Sequence, residues 1–130
     1  MTGKGTTGTA IPRRCRVLVV EDEYLVAVEL VSALLELGME VIGPAPTLAA
    51  ARDLAREGSI VDAAVLDVNL RGEMVWPLVD ALLDRGVPVV LTTGYDGAAI
   101  PSAYAHLRRC EKPVSTHDLC RILVRQVARA

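Results

Sequence analysis

Three short apolar runs in this chain end on side chains able to hold a metal ion or a phosphoryl group. Val17-Leu18-Val19-Val20 ends at Glu21-Asp22, Ala63-Ala64-Val65-Leu66 ends at Asp67, and Val89-Val90-Leu91 ends at Thr92-Thr93. Lys112-Pro113 follows a brief polar stretch downstream. An aspartate can attack phosphorus and become an aspartyl phosphate, but its anionic carboxylate must then approach an anionic phosphoryl group. A divalent ion held by neighbouring carboxylates offsets that repulsion, a lysine neutralises further charge, and a hydroxyl can hydrogen-bond a phosphoryl oxygen. Glu21, Asp22, Asp67, Thr93 and Lys112 supply those parts. Each has a bland alternative on its own: Asp67 could cap a loop, Glu21-Asp22 could open a helix with favourable dipole charge, and Lys112-Pro113 could be a turn. The weight lies in finding all of them in this order.

The elements that must position these residues follow from the same runs. Short apolar segments bounded by polar residues read as strands buried on both faces of a parallel sheet. In open α/β sheets the ligand site lies beyond the carboxyl ends of the strands, so these side chains would converge on one rim. Between the strands the pattern turns helical. A first strand, Arg16 to Val20, precedes a helix from about Glu23 to Leu37, with Tyr24, Val28, Val31 and Leu35 on one stripe and Gly38 as its stop. Glu40 to Ala45 forms the second strand, and Thr47 caps a helix reaching about Arg56. The third strand ends at Asp67, and a loop from Asn69 to Gly72 leads into a helix carrying Val75, Leu78, Val79, Leu82 and Leu83. Val87 to Leu91 is the fourth strand. Asp96-Gly97 is a turn, and Pro101 suits the first position of a short helix to about Leu107. Arg109 to Glu111 is an edge strand, and Ser115 to Asp118 is a capping box opening the last helix. Strict alternation implies an α/β, doubly wound five-stranded parallel sheet with five helices.

Composition sets the outer limits. The chain has 130 residues, 52% of them hydrophobic, with no Phe, three Tyr and one Trp, so Val, Leu, Ile and Ala must build the core. One domain spans 15–130, after a Gly- and Thr-rich segment, 1–14, expected to be a disordered tail. A net charge of −2 argues against general attraction to nucleic acid. Cys15, Cys110 and Cys120 have no metal-ligand spacing and read as reduced thiols of a cytoplasmic protein. No apolar stretch reaches membrane-span length, and no signal-peptide core opens the chain. Arg121, Arg125 and Arg129 read as a solvated face of the last helix, with a partner-docking stripe as the alternative, and His106 and His117 as surface residues. Trp76, just before Pro77 at a helix start, reads as packing.

From about Cys15 to Ala130 the chain resembles the receiver domain of bacterial two-component response regulators, within the CheY-like superfamily. Val19-Val20-Glu21-Asp22 matches the acidic pair after the first strand, Asp67-Val68-Asn69-Leu70 the phosphoacceptor loop, Thr93 the switch hydroxyl, and Lys112-Pro113 the lysine with its cis-proline. Asp67 to Glu73 and Pro88 to Tyr95 resemble the subgroup with the FAT GUY motif, whose Phe-Ala-Thr-Gly-Tyr aligns with Leu91 to Tyr95. That subgroup consists largely of single-domain receivers from alphaproteobacteria. The resemblance implies a flavodoxin-like sheet of order 2-1-3-4-5. It implies that Asp67 takes a phosphoryl group from a phosphohistidine. Asp22, Asp67 and the Asn69 carbonyl would bind Mg²⁺ (or Mn²⁺) directly, Glu21 would do so mainly through water, and Lys112 would pair with Asp67 or the phosphoryl group. Asn69 and Tyr95 occupy the positions that tune dephosphorylation.

The chain departs from the common pattern in three places. Arg109 stands where most receivers carry a rotating Tyr or Phe, Leu70-Arg71-Gly72 lacks the usual Pro, and Leu91-Thr92 replaces Phe-Ala. The implied function is a stand-alone receiver without an output domain, a monomer or weak dimer that signals to a downstream protein partner. Its donor would be a sensor histidine kinase of the HWE or a related class. A phosphate sink or relay carrier is the alternative. A turnover phosphatase is disfavoured because Asn69 stands where such enzymes commonly place an acid–base Asp.

Overall fold

The acidic and hydroxyl-bearing strand ends do meet on one edge, because the strands that carry them pair in parallel and in the expected order. The computed structural model describes residues 14–94 and 100–129. Its strands are β1 (Arg16–Val20), β2 (Glu40–Ala45), β3 (Ala63–Asp67), β4 (Asn69–Leu70), β5 (Glu73–Met74), β6 (Val89–Thr93) and β7 (Arg108–Glu111). Its helices are α1 (Tyr24–Glu36), α2 (Leu48–Leu54), α3 (Trp76–Asp84) and α4 (Thr116–Arg129). The main sheet runs β2-β1-β3-β6-β7, all parallel, which is the anticipated 2-1-3-4-5 order when only its own strands are counted. β3 and β6 are buried at every position, as uninterrupted apolar runs require of central strands in a two-faced sheet.

Each face of the sheet carries its own core. Leu18, Val20, Leu66 and Leu91 point towards α2 and α3, with Leu48, Leu78 and Leu82 packed onto them. Val17, Val19, Val65 and Val90 point to the other face, against Leu30, Leu34, Leu119 and Leu123 of α1 and α4. Each such side chain contributes about 2 kcal/mol by leaving water. α1 turns out differently from its expected stripe: Ala27, Leu30 and Leu34 are buried, whereas Tyr24, Val28 and Leu35 face outward. α1 is apolar on both sides, so periodicity alone does not choose the core-facing one. Gly38, at φ +82°, stops the helix as anticipated. α2 is capped by Thr47, whose hydroxyl accepts the Ala50 N–H at 3.1 Å, and ends at Leu54, short of Arg56. The Arg85 guanidinium donates to the carbonyl of Ala55, which closes that helix end, and to the carbonyl of Ser59 in the loop beyond it.

The five helices anticipated from the sequence become four α-helices and one 3₁₀ turn among the described residues. Ser102–Tyr104 makes that turn where a fourth helix was expected. A helix confined between Pro101 and β7 is too short to stabilise itself. Aromatic packing holds the segment instead. The Trp76 and Tyr104 rings stack with centroids 4.6 Å apart, and the Tyr104 hydroxyl donates to Asp80 at 2.7 Å. Residues 1–13 of the expected tail, the Asp96-Gly97 turn and Tyr95 lie outside the described residues. Strand β6 is displaced from the anticipated Val87–Leu91 to Val89–Thr93, pairing Asp67 with Thr92. The loop after Asp67 is a small antiparallel ribbon, β4 against β5, with Arg71-Gly72 at its turn.

Gly43 connects this packing to the site. The β1–β2 register shifts between Leu18 and Val20, and beyond that irregularity the Ala45 carbonyl accepts the Glu21 N–H at 3.0 Å. Gly43 sits at φ +102°, and a Cβ there would lie 2.8 Å from both the Ala45 nitrogen and the Val19 oxygen. Gly58, at φ +94°, faces open space. Gly58→Ala should cost about 1 kcal/mol, the price of a left-handed alanine, and Gly43→Ala at least about twice that. Urea unfolding of the two variants checks this; equal losses would show that the close backbone approach has no weight.

Candidate functional site

Four backbone corners present the polar groups. Glu21 and Asp22 leave the end of β1, Asp67 ends β3, Thr93 ends β6, and Lys112 follows β7. The Lys112 N–H donates to the Thr93 carbonyl at 2.7 Å, which ties the lysine backbone to the end of β6. From there its ammonium donates to Glu23 Oε1 at 2.8 Å, Asp67 Oδ2 at 2.9 Å and Glu21 Oε2 at 3.1 Å. The other Asp67 oxygen, Oδ1, accepts the Asn69 N–H at 3.1 Å. Asp22 is bridged by Arg71, Nε to Oδ2, at 3.4 Å. The Asn69 side chain is turned to local use, its Oδ1 accepting the Gly72 N–H at 2.5 Å. The Lys112–Pro113 peptide is cis, as the resemblance implied.

Of the residues singled out in the sequence, Glu21, Asp22, Asp67 and Lys112 gather around one cleft edge, and Asn69 joins them through its backbone. Thr93 stands at the neighbouring strand end, fully buried, and its hydroxyl has no hydrogen-bond partner among the described residues. Arg109, His106 and His117 are exposed, as are Arg121 and Arg125. The three cysteines form no disulfide with one another and are half-buried. Two participants escaped the sequence reading. Glu23, a helix start by sequence, adds a carboxylate to Lys112, and Arg71, in the loop after Asp67, reaches Asp22. The run Glu21-Asp22-Glu23 was the available signal for the first. Nothing local marked the second.

The cleft, of about 310 Å³, is lined by Asp22, Glu23, Asp67, Asn69, Arg71 and Lys112 with two glycines. One oxygen from each of Glu21, Asp22, Glu23 and Asp67 lies within 4.8 Å of the others. An oxygen-only donor set of this kind suits a hard divalent cation. Glu21 Oε1, buried and without a hydrogen-bond partner among the described residues, is a further acceptor on this edge. Among the described residues no helix is long and apolar enough to cross a membrane.

Crowded buried acids pay in protonation. Burial, with the nearby Asp67 charge, lifts Glu21 to about 7 against the relief from the Glu23 N–H and Lys112. Burial likewise lifts Asp67 above the ordinary carboxylate range, while Lys112 and the Asn69 N–H pull it back. Burial opposes the Lys112 charge, yet its bonds to Glu23, Asp67 and Glu21 together hold the ammonium above its ordinary value. A carboxyl that binds its proton more tightly when folded stabilises the fold at low pH and loses that contribution as pH rises through the folded value. Metal-free protein should therefore lose stability between about pH 4.5 and about 7. Glu21→Gln should flatten that slope by up to about 3 kcal/mol. Urea unfolding with a chelator at pH 5 and 7.5 measures it, and parallel profiles for the two proteins would contradict the assignment.

No protein-family model matches the chain, and neither does any curated protein. Solved structures do. The solution structure of SdrG from Sphingomonas melonis Fr1 superposes with a TM-score of 0.78 at 31% identity, covering 91% of this chain and 99% of that one. The BeF3-activated conformation of SdrG from Pseudomonas melonis Fr1 gives a TM-score of 0.71 at 32% identity, covering 86% and 94%. The PhyR response regulator REC domain of Erythrobacter litoralis shares the fold, with a TM-score of 0.75 at 23% identity over 88% and 90%. Relatedness at that level to SdrG, over nearly its whole length, makes this chain a member of the CheY-like response regulator receiver family.

Proposed function

We propose that this receiver accepts a phosphoryl group on Asp67 and signals by binding another protein. The observation that carries the reading is the Asp67 carboxylate itself. It is buried to 4% exposure, held on one oxygen by the Lys112 ammonium and on the other by the Asn69 N–H, and it borders an open cleft. A nucleophile fixed in this way needs little reorientation before in-line attack. An Asp67 oxygen would form the new P–O bond as the P–N bond of a phosphohistidine breaks, and Lys112 would stay beside the charge that moves onto the phosphoryl oxygens.

The oxygen-rich corner suits Mg²⁺ (or Mn²⁺): Asp22, Asp67 and, on the family resemblance, the Asn69 carbonyl would hold the ion directly and Glu21 mainly through water. When bound, such an ion neutralises phosphoryl charge during transfer. The chain's own residues do the rest. Glu21 and Glu23 hold the lysine in place, and the Thr93 hydroxyl is a donor whose partner would be a phosphoryl oxygen. The existence of a BeF3-activated conformation of SdrG, 32% identical, supports extending this chemistry to the present chain. The donor would be a sensor histidine kinase, of the HWE or a related class on the subgroup resemblance, in the cytoplasm, with the receiver a monomer or weak dimer. The output would run through the segment after β6, whose far end is fastened to α3 by the Trp76–Tyr104 stack. The exposed Arg109 takes no part in an aromatic rotation.

Intact-mass measurement after incubation with a phosphorylated kinase, or with acetyl phosphate and Mg²⁺, tests the reading. One phosphoryl group should add to the wild type and none to Asp67→Ala. Lys112→Ala should slow transfer by on the order of a hundredfold. Phosphorylation of Asp67→Ala at the wild-type rate would overturn it.

A further inference from the structure

Two cations divide the acidic corner between them. Lys112 serves Glu21, Glu23 and Asp67, and its ion pairs do not include Asp22. Asp22, with its side chain 11% exposed, pairs instead with Arg71. Arg71 arrives there through an unusual piece of backbone. It is the first of two turn residues between β4 and β5, at φ +55°, and Gly72 follows at +93°. Positive φ at both central positions is the pattern of tight hairpin turns, where Asn, Asp or Gly is the normal first residue. Arginine lacks the short polar side chain that makes this conformation tolerable. The Asn69 carboxamide pins the turn through the Gly72 N–H, and the hairpin, starting two residues after Asp67, brings Arg71 to the cleft lining. A strained non-glycine residue beside a reactive carboxylate is an outlier from which a role can be inferred.

The two cations are not held equally. The Lys112 side chain is 17% exposed and donates to three carboxylates, whereas Arg71 is 82% exposed and makes one ion pair among the described residues. An exposed single pair is weak and readily exchanged with solvent. Of the two, Arg71 is the one that can yield.

We propose that Arg71 is a built-in competitor of the divalent cation. Its guanidinium holds the Asp22 carboxylate in the metal-free protein and leaves it when an ion arrives. It thereby lowers metal affinity and couples loading of the site to movement of the β4–β5 turn. Arg71 is thus a positioning residue acting through Asp22, and the inference rests on the reading of Asp22 as a metal ligand given above.

The test is Mg²⁺ titration of the full chain, by calorimetry and by amide and arginine side-chain NMR, for wild type, Arg71→Asn and Arg52→Ala. Asn keeps the left-handed turn without the cation, and Arg52, exposed on α2, controls for general loss of positive charge. Arg71→Asn should bind Mg²⁺ roughly two- to fivefold more tightly, the reach of one exposed ion pair, and Arg52→Ala should bind as wild type does. In the wild type the Arg71 Nε–H signal should shift in step with Mg²⁺ saturation. Equal affinity in wild type and Arg71→Asn, a stationary Nε–H signal, or an equal gain in Arg52→Ala would overturn the competition while leaving the metal site intact. Absence of Mg²⁺ binding in all three proteins would instead sink the metal reading, and the competition with it.

Discussion

One ammonium shared among three carboxylates is the constraint on which the rest of this molecule turns. The bonds from Lys112 to Glu21, Glu23 and Asp67 span 91, 89 and 45 residues, so only the completed fold brings the partners together. No local preference could assemble them. Parallel pairing does, because it aligns the carboxyl ends of β1, β3 and β6 on one edge and lets the chain after β7 return a lysine to the same place. Removing either partner of such a contact would leave a desolvated charge unmatched, a larger loss than the contact's own net contribution.

The arrangement is deliberately incomplete as a structural device. Among the described residues four clustered carboxylates face two cations, one of them on an exposed side chain, and Glu21 is pushed to about 7 by its burial. A corner selected for stability alone would hold fewer acids or more compensation. Excess negative charge in a partly dry cleft is what a divalent ion would neutralise, and the ion with the Lys112 ammonium would then offset the charge of an incoming phosphoryl group. The Thr93 hydroxyl and Glu21 Oε1, both without a partner among the described residues, fit the same logic, since buried polar atoms without partners are rare.

Much of this was legible in the sequence, for identifiable reasons. Central strands buried on both faces leave unbroken apolar runs, so β1, β3 and the carboxylates at their ends could be read directly. Thr47 and Gly38 marked helix ends because capping is a local event. What escaped depended on contacts across space. The core face of α1 was misassigned because both of its sides are apolar, and only the sheet decides that Leu30 and Leu34 turn inward. The segment after Pro101 forms a single 3₁₀ turn with its own short backbone bonds, and the stack of Tyr104 on Trp76, a contact across space, fastens it to α3. Glu23 and Arg71 joined the site by reaching over it, and an arginine in a left-handed turn is not something composition foretells.

The central claim is that Asp67, Lys112 and a divalent ion act as one unit around a phosphoryl group. Fluorine NMR of the protein with beryllofluoride addresses it most directly. Bound signals should appear only when Mg²⁺ is present, and should vanish in Asp67→Ala. Bound fluoride signals that persist without Mg²⁺, or in Asp67→Ala, would contradict the account.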